Sequence, residues 1–397
     1  MRIQRNLLLI DIYTVCKNMH FWAPILLLYY RDQIGIGFKE LMIGEAVFSA
    51  TIVLLDVPTG WLSDMWKRKH TQALGILFAI FGYSCLMLAE NFTTVLLAQV
   101  LIGVFVSLGS GTDTAILYDS LLSVGREGEY LKREGRRVAL LLYSVAGVCV
   151  AGGLLYPINH KLPLAMTVAA MAVALVAACL QDEPERHKKA SERHPAADIL
   201  ATIKYALHGH AEVGFLILFS AALFCTTRFL SWTQQPYYLA LNIPESCYGV
   251  FIAIGYLLGG ISSHWSHLLN GRIGTYRALT VLWAFAVLVC LGASIGPGWH
   301  GVALLMTGGA FIYGMAAPRI NEAINHHVGS SRRAAILSTQ NLMVSLLYIP
   351  LSMAMGSVSK HWGIQAALLG LALWLCLAGA CLGLLALRRK RKACPPL

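Results

Sequence analysis

Apolar residues run along this chain in long stretches that recur from one end to the other. A hydrocarbon core about 30 Å thick takes roughly 20 helical residues to cross. In lipid, each backbone polar group has to be hydrogen-bonded within its own segment, so each long stretch is predicted to be a membrane-crossing helix. The pattern gives twelve such segments, with approximate limits 6–30, 41–63, 70–89, 93–122, 137–156, 162–181, 212–236, 248–268, 277–296, 299–324, 333–357 and 363–387.

One long polar stretch, 182–211, separates the first six segments from the last six. Its prolines and charged side chains are typical of a linker. We therefore predict two six-helix bundles, 1–181 and 212–397, the second with a short basic tail. A glycine and a serine recur at equivalent places after the second and eighth segments, and weak internal repeats of this kind are typical of transporter folds.

Composition agrees with this pattern and narrows the function. The chain has 397 residues, of which 57% are hydrophobic and only 13% charged, whereas about a quarter of the residues in a soluble protein are charged. The first apolar segment is full length and contains charged residues, so it is predicted to be a retained span rather than a cleaved signal. The ten cysteines have no metal-ligand spacing, and no phosphate-binding loop or nucleophile motif is present. We predict no metal site, no cofactor, no ATP hydrolysis and no enzymatic activity.

The basic residues indicate orientation. With both termini on one side, that side collects 24 Lys and Arg residues and the other side only four. Cytoplasmic loops carry the excess of such residues, so both termini are predicted to be cytoplasmic. The net charge of +11 is then a topology signal, and nucleic-acid binding is not needed to explain it. We expect a monomer in the bacterial inner membrane.

The segment 60–69, between the second and third apolar segments, reads GWLSDMWKRK. It resembles the signature loop of the major facilitator superfamily, G-x-L-A/S-D-R-x-G-R/K-R/K, with departures at Met65 and Lys67. Further segments resemble a bacterial, exporter-like branch of that family. They are 30–32, 56–60, 109–115, 117–120, 235–237 and 333–338.

This resemblance implies the fold of two six-helix bundles and a cytoplasmic gate. Gly60 would let helices approach closely, while Asp64, Arg68 and Lys69 would interlock with Asp119 at the end of the fourth span. Two patterns of proton-coupled drug exporters are incomplete, because Gln99 replaces the usual Arg of the fourth span and the fifth span lacks a Gly-Pro step.

Ionisable side chains within a span are costly and mark functional sites. Half of the first helix is polar, and Lys17 and Asn18 lie near its predicted midplane. Asp113 is the deepest carboxylate of the fourth span. Burial favours the neutral form of a carboxyl group, so Asp113 with Lys17 is either a proton-coupling pair or a structural ion pair. Glu45, in the second span, is predicted to be near an interface and solvated.

In the second half, Arg228, Trp232 and Gln235 share one face of the seventh span, which leads to Tyr237. A guanidinium beside an aromatic side chain suits recognition of a carboxylate or an aromatic group. Asn341 belongs to a polar stripe of the eleventh span that either lines the path or only joins helices. Together with Lys17 and Asn18, these residues form the predicted substrate site.

These residues lead to a functional hypothesis with two alternatives. The leading one is a secondary active transporter that uses the proton gradient to export a small organic molecule, anionic or siderophore-like, the direction being implied by the family resemblance. The first alternative is a proton symporter or uniporter that imports a polar nutrient. The second is a transporter-like receptor without flux.

Overall fold

The computed structural model describes residues 2–109, 112–126, 129–183, 211–266, 274–328 and 333–393. Within these ranges the chain is almost entirely helical, and no strand occurs in them. The all-α prediction is therefore confirmed.

We number the α-helices of the described residues in chain order. Two further short elements, a 3₁₀-helix Ala23–Ile25 and a π-helix Tyr30–Ile34, flank α2. The α-helices are α1 Arg2–Lys17, α2 Leu26–Tyr29, α3 Phe38–Met65, α4 Arg68–Met87, α5 Phe92–Gly109, α6 Thr112–Leu122, α7 Tyr130–Leu155, α8 Leu162–Leu180, α9 Ala211–Ala240, α10 Glu245–Trp265, α11 Thr275–Ser294, α12 Trp299–His327 and α13 Arg333–Ala393.

Among the described residues, nine helices are long and apolar enough to cross a membrane. One of them lies in α13, whose apolar part has 50 residues, more than twice what a hydrocarbon core requires. The chain bends inside α13 at Gly363, where φ is 85°, a value that glycine adopts without a steric penalty. The number of twelve spans stays a prediction.

The first predicted span, 6–30, is not a continuous helix. α1 ends at Lys17, and helical backbone resumes only at Ala23. Pro24 accounts for part of the interruption, because a proline has no N–H to bond the carbonyl of His20, four residues earlier, and its ring collides with that carbonyl in a continuous helix. We call residues 18–22 the break.

The polar backbone of the break is hydrogen-bonded by neighbouring protein groups. The backbone N–H groups of Asn18 and Met19 donate to carbonyls of α1, and the Phe21 N–H donates to the Thr167 hydroxyl of α8 at 3.1 Å. The Asn18 side-chain amide also donates to the Thr14 carbonyl of α1 at 2.7 Å. Irregular backbone is tolerated at membrane depth only where protein or water satisfies it. The break is therefore a stable part of the fold, held by hydrogen bonds to neighbouring helices.

Close packing against α7 holds the break in place. A Cβ added at Gly152 of α7 would lie 2.0 Å from the carbonyl oxygen of Phe21, which is well inside contact distance. Only a residue without a side chain allows the Phe21 carbonyl to approach α7 this closely.

The chain divides into two compact units, 1–193 with 244–253 and 194–243 with 254–397. In the first, α4 packs on α5 and α8, and α3 packs on α5. In the second, α9 packs on α12 and α13. Most of the predicted linker, residues 184–210, lies outside the described residues, so the predicted boundaries stay predictions.

The start of α10 packs within the first unit, which the sequence did not indicate. A Cβ at Gly249 would lie 2.0 Å from the Cys149 carbonyl oxygen of α7. Ala253 joins Ala146 and Cys149 in a small apolar cluster. Small residues allow this close helix crossing, as is usual between membrane helices.

We predict that Gly152→Ala destabilises the protein while Gly147→Ala does not. The added methyl at 152 collides with a backbone oxygen that cannot turn away, and overpacking of this kind costs about 1–3 kcal/mol. Gly147 lies on the same helix, and apart from the backbone of its own helix no described atom lies within 4 Å of its Cβ position, so alanine there is expected to be neutral or slightly stabilising. Thermal unfolding of the two purified variants measures the difference, and equal midpoints would contradict the packing described here.

Candidate gate and translocation site

Two of the predicted gate residues meet at one end of the first unit. The Arg68 guanidinium, at the start of α4, forms an ion pair with the Asp119 carboxylate of α6. Their side chains are 19% and 22% exposed, so the pair is partly shielded from solvent. A charged pair in this setting fixes the ends of α4 and α6 relative to each other.

Glu183 joins this pair and was not predicted. Its two carboxylate oxygens accept hydrogen bonds from the backbone N–H groups of Arg68 and Lys69, at 2.9 Å and 3.0 Å. The first N–H groups of a helix have no partner within it and carry partial positive charge, so a carboxylate there is stabilising. Glu183 falls in the stretch that the sequence assigned to the linker, and nothing in its local pattern points to a helix 115 residues away.

Asn6 ties the start of α1 to the same region. Its side-chain nitrogen donates to the Ser120 hydroxyl at 3.2 Å and to the Asp182 carbonyl at 3.1 Å, and its oxygen accepts from the Asp182 N–H at 2.8 Å. The Lys69 ammonium donates to the Gln181 carbonyl at 3.3 Å. We call the set that joins α1, α4, α6 and the chain after α8 the helix-end network. It consists of Asn6, Arg68, Lys69, Asp119, Ser120, Gln181, Asp182 and Glu183.

The predicted loop 60–69 is mostly helical. α3 continues to Met65 and α4 begins at Arg68, so the connection is only Trp66–Lys67. The cap supplied by Glu183 explains the early start of α4. Gly60 is exposed, and no other described atom lies within 4 Å of its Cβ position, so the close helix approach expected there is not found. The side chain of Asp64 lies outside the described residues, and its gating role stays a prediction.

Lys17 ends α1 and borders the break. A cation at a helix C-terminus interacts favourably with the partial negative charge of the last carbonyls. Its ammonium lies 5.3 Å from the ring centre of Tyr13 and 3.8 Å from the Cβ position of Gly109 in α5. The Asp113 side chain lies outside the described residues, so its pairing with Lys17 stays a prediction.

The break also brings aromatic side chains together. The rings of His20, Trp22 and Tyr83 lie 5.7–5.8 Å apart, centre to centre. His20 Nδ1 lies 3.2 Å from the Tyr83 hydroxyl. The break in the first span is therefore joined to α4 by a polar contact inside the unit.

Glu45 lies in the interior, and the prediction of a shallow, solvated position was wrong. It is 5% exposed, because α3 begins seven residues earlier and turns this face into the bundle. It interacts electrostatically with Tyr30 and Tyr83, both of which are buried. Gln99 of α5 donates to the Tyr30 hydroxyl at 3.4 Å. We call His20, Tyr30, Glu45, Tyr83 and Gln99 the interior polar cluster.

In the second unit, Arg228 faces α13. Its guanidinium carbon lies 4.1 Å from the ring centre of Tyr348, a distance at which a cation and an aromatic ring attract each other. Asn341 is exposed and lies two turns before Tyr348 on α13. Of the other predicted residues, Trp232 is partly exposed and Gln235 is buried. Arg228 and Asn341 thus belong to facing elements of the second unit.

Tyr237 has a structural position that argues against its predicted role in substrate binding. The side chain is fully buried. Its hydroxyl donates to the Gly296 carbonyl at 2.7 Å and accepts from the Gly298 N–H at 3.2 Å. Both hydrogen-bonding functions of the hydroxyl therefore hold the turn before α12.

A charged cluster holds the other end of the first span. Asp32 lies 2.5 Å from the Arg31 guanidinium and accepts from the Tyr156 hydroxyl at 2.8 Å, while Arg31 lies 3.6 Å from Glu245. Burial alone would raise the pKa of Asp32, but the hydrogen bonds from Arg31 and Tyr156 outweigh it and hold that pKa below its ordinary value. Asp32 is therefore ionised at neutral pH and links the π-helix to α7.

Comparison with known families decides the classification. The family model of the Major Facilitator Superfamily matches residues 14–349, which is most of the chain. The chain belongs to the major facilitator superfamily. It is a multi-pass membrane transporter rather than an enzyme. Among curated proteins, none matches it significantly.

Solved structures share this major facilitator fold at low sequence identity. A mutant of the nucleoside transporter NupG has a TM-score of 0.81 at 13% identity, covering 96% of this chain and 99% of that one. A POT family transporter in complex with a thioalcohol-conjugated peptide gives 0.76 at 13% identity, covering 98% and 99%. A bacterial homologue of the human lysosomal transporter Spinster gives 0.71 at 13% identity, covering 96% of each chain. Identities this low show the fold alone.

We predict that Glu183→Ala destabilises this transporter more than Asp182→Ala. Loss of a helix cap costs about 0.5–2 kcal/mol. The Asp182 side chain only pairs with exposed Arg5, and such a pair contributes about 0–1 kcal/mol. The measurement is thermal unfolding of both variants, and a larger loss for Asp182→Ala would contradict the assignment of Glu183 as the cap of α4.

We further predict energetic coupling between Arg68 and Asp119. In a double-mutant cycle with Arg68→Gln and Asp119→Asn, the unfolding free energies should depart from additivity by about 0.5–3 kcal/mol, as expected for groups in contact. The control is the cycle of Lys69→Gln with Asp119→Asn, which should be additive because the Lys69 ammonium is bound to Gln181. Equal coupling energies in the two cycles would contradict a specific ion pair between Arg68 and Asp119.

Proposed function

We propose that this transporter uses the proton gradient to export a small organic molecule that carries an anionic or strongly polar group. The observation that carries this proposal is the break in the first span beside the interior polar cluster. Discontinuous helices form substrate and ion sites in secondary transporters, because their termini and irregular backbone present polar groups at membrane depth.

The proposed preference for an anionic group rests on one cation in each unit. In the first unit, Lys17 stands at the end of α1 with Asn18 next to it, at the edge of the break. In the second, Arg228 stands on α9 over the ring of Tyr348. A guanidinium can bind a carboxylate with two hydrogen bonds, and Lys provides a compact positive charge. Carboxylates alone would suit a cationic drug better.

Proton coupling is proposed for two carboxyl groups of the first unit. Asp113 was predicted from the sequence, with Lys17 as its partner. The structure adds Glu45 as a second candidate, because it is buried beside two tyrosine hydroxyls. Acidic residues inside membrane helices commonly form proton relays in transporters.

Export is proposed from the sequence resemblance, with both termini in the cytoplasm of a bacterial inner membrane. Uptake is the alternative, because the similar folds include a nucleoside transporter and a transporter solved with a bound peptide conjugate. The residues of the interior polar cluster are compatible with transport in either direction.

A ligand screen tests the charge preference first. Purified protein is heated with citrate, 2,3-dihydroxybenzoate, uridine or tetraphenylphosphonium, and a ligand that binds the folded state raises the melting temperature. We expect the anions to stabilise the protein and Lys17→Met or Arg228→Met to abolish the effect. Lys161→Gln, which removes an exposed cation at the start of α8, is the control. Stabilisation by tetraphenylphosphonium alone would contradict the anionic proposal, and stabilisation by uridine alone would indicate a neutral polar substrate instead of an anion.

Transport in proteoliposomes with the stabilising anion tests coupling and direction. We expect an imposed pH gradient to drive accumulation, and Glu45→Gln or Asp113→Asn to reduce it at least tenfold while exchange of labelled for unlabelled substrate continues. This combination identifies a proton-coupling residue, because exchange needs no net proton transfer. Accumulation unaffected by the gradient would exclude coupling, and substrate moving in the same direction as the proton would exclude antiport.

A further inference from the structure

A cleft separates the beginnings of α1 and α7 in the first unit. It has a volume of about 220 Å³ and is lined by Gln4, Leu7, Leu8, Asp11, Arg133 and Arg136. A water molecule needs only about 10–15 Å³ on such a measure. The cleft is therefore large enough for a group of several heavy atoms, and neither the gate nor the interior polar cluster includes its residues.

The cleft carries charges of both signs at separate places. Arg133 and Arg136 are one turn apart on α7, so their guanidinium groups lie on one face of that helix. Asp11, on α1, interacts electrostatically with both. Arg133 also lies 3.7 Å from Glu129. The lining residues have a net charge of +1, with two cations on one wall and one carboxylate on the other.

The cleft lies where a lipid headgroup would reach it. Its residues belong to the first three turns of α1 and the first two turns of α7. Leu8 is 58% exposed, and Gln4, four residues earlier on the same face, is exposed as well. An exposed leucine beside guanidinium groups, near the start of α7, which is long and apolar enough to cross a membrane, points to the boundary between acyl chains and headgroups.

We propose that this cleft binds the headgroup of an aminophospholipid of the phosphatidylethanolamine type. Its phosphate lies against Arg133 and Arg136, its primary ammonium lies against Asp11, and one acyl chain runs along Leu8. Guanidinium groups match phosphate oxygens with paired hydrogen bonds. Basic pockets between membrane helices on the cytoplasmic side are known sites for lipid headgroups.

The carboxylate gives the site its selectivity. Phosphatidylglycerol offers a phosphate but no ammonium, which leaves Asp11 facing an anion. Phosphatidylcholine offers a quaternary ammonium that has no N–H to donate to Asp11. A bound ethanolamine headgroup would pair with the arginines of α7 and with the carboxylate of α1. It would therefore join α1 to α7, and both of these helices contact the break.

Native mass spectrometry of the purified full-length transporter tests the proposal. The protein is titrated with phosphatidylethanolamine, phosphatidylcholine and phosphatidylglycerol of the same acyl chains. We expect phosphatidylethanolamine to bind at least tenfold more tightly than the other two. Arg133→Gln with Arg136→Gln should remove this binding, whereas Arg133→Lys with Arg136→Lys should retain most of it. Asp11→Asn should reverse the order in favour of phosphatidylglycerol, because the lining then has a net charge of +2.

The matched control is Lys132→Gln, which removes an exposed cation next to Arg133 that does not line the cleft. It should leave the lipid order unchanged. Gel filtration of each variant establishes that it is folded, and the reversal by Asp11→Asn is a gain of binding that a misfolded protein cannot give. Equal binding of the three lipids, an equal loss with Lys132→Gln, or displacement of the lipid by millimolar inorganic phosphate would overturn the proposal.

Discussion

The requirement that backbone polar groups be hydrogen-bonded in lipid controls the most informative part of this structure. A continuous helix meets that requirement within itself, and the first span does not do so. Pro24 removes one donor, and the chain leaves the helix between Lys17 and Ala23. The backbone N–H groups of Asn18 and Met19 bond carbonyls of α1, and the Phe21 N–H bonds Thr167 of α8. Neighbouring helices thus have to be in place before the first span can take its shape.

This dependence explains how a glycine on a different helix becomes part of the site. Gly152 of α7 allows the Phe21 carbonyl to approach within a distance that any side chain would prevent. With the break fixed, Lys17 is held at a helix end and His20 is held against Tyr83. The polar side chains of the site are therefore positioned by backbone packing as well as by their own contacts.

Charged side chains have different surroundings at the end of the first unit and in its interior. In the helix-end network, ion pairs and a carboxylate cap hold helix ends together, and solvent is close enough to moderate their strength. In the interior, Glu45 is buried and interacts electrostatically with Tyr30 and Tyr83. A charge in such a place is costly, which is why it is a candidate for transport rather than for stability. The cleft between α1 and α7 is an intermediate case, because side chains of both signs line it.

The amino-acid sequence by itself determined the helical class, the membrane environment and the family resemblance, because these follow from composition, segment length and a conspicuous local motif. The contact of the loop with Asp119 was implied by that resemblance. The sequence could not place Glu45, Glu183 or the break. Their positions depend on which residues distant in the chain supply hydrogen bonds, burial and space. A carboxylate near a predicted span end is solvated or buried according to the face its helix turns inward, and a linker glutamate becomes a cap only where a helix begins beside it. Only the tertiary structure decides these points, because the free energy of each group depends on neighbours that local sequence does not specify.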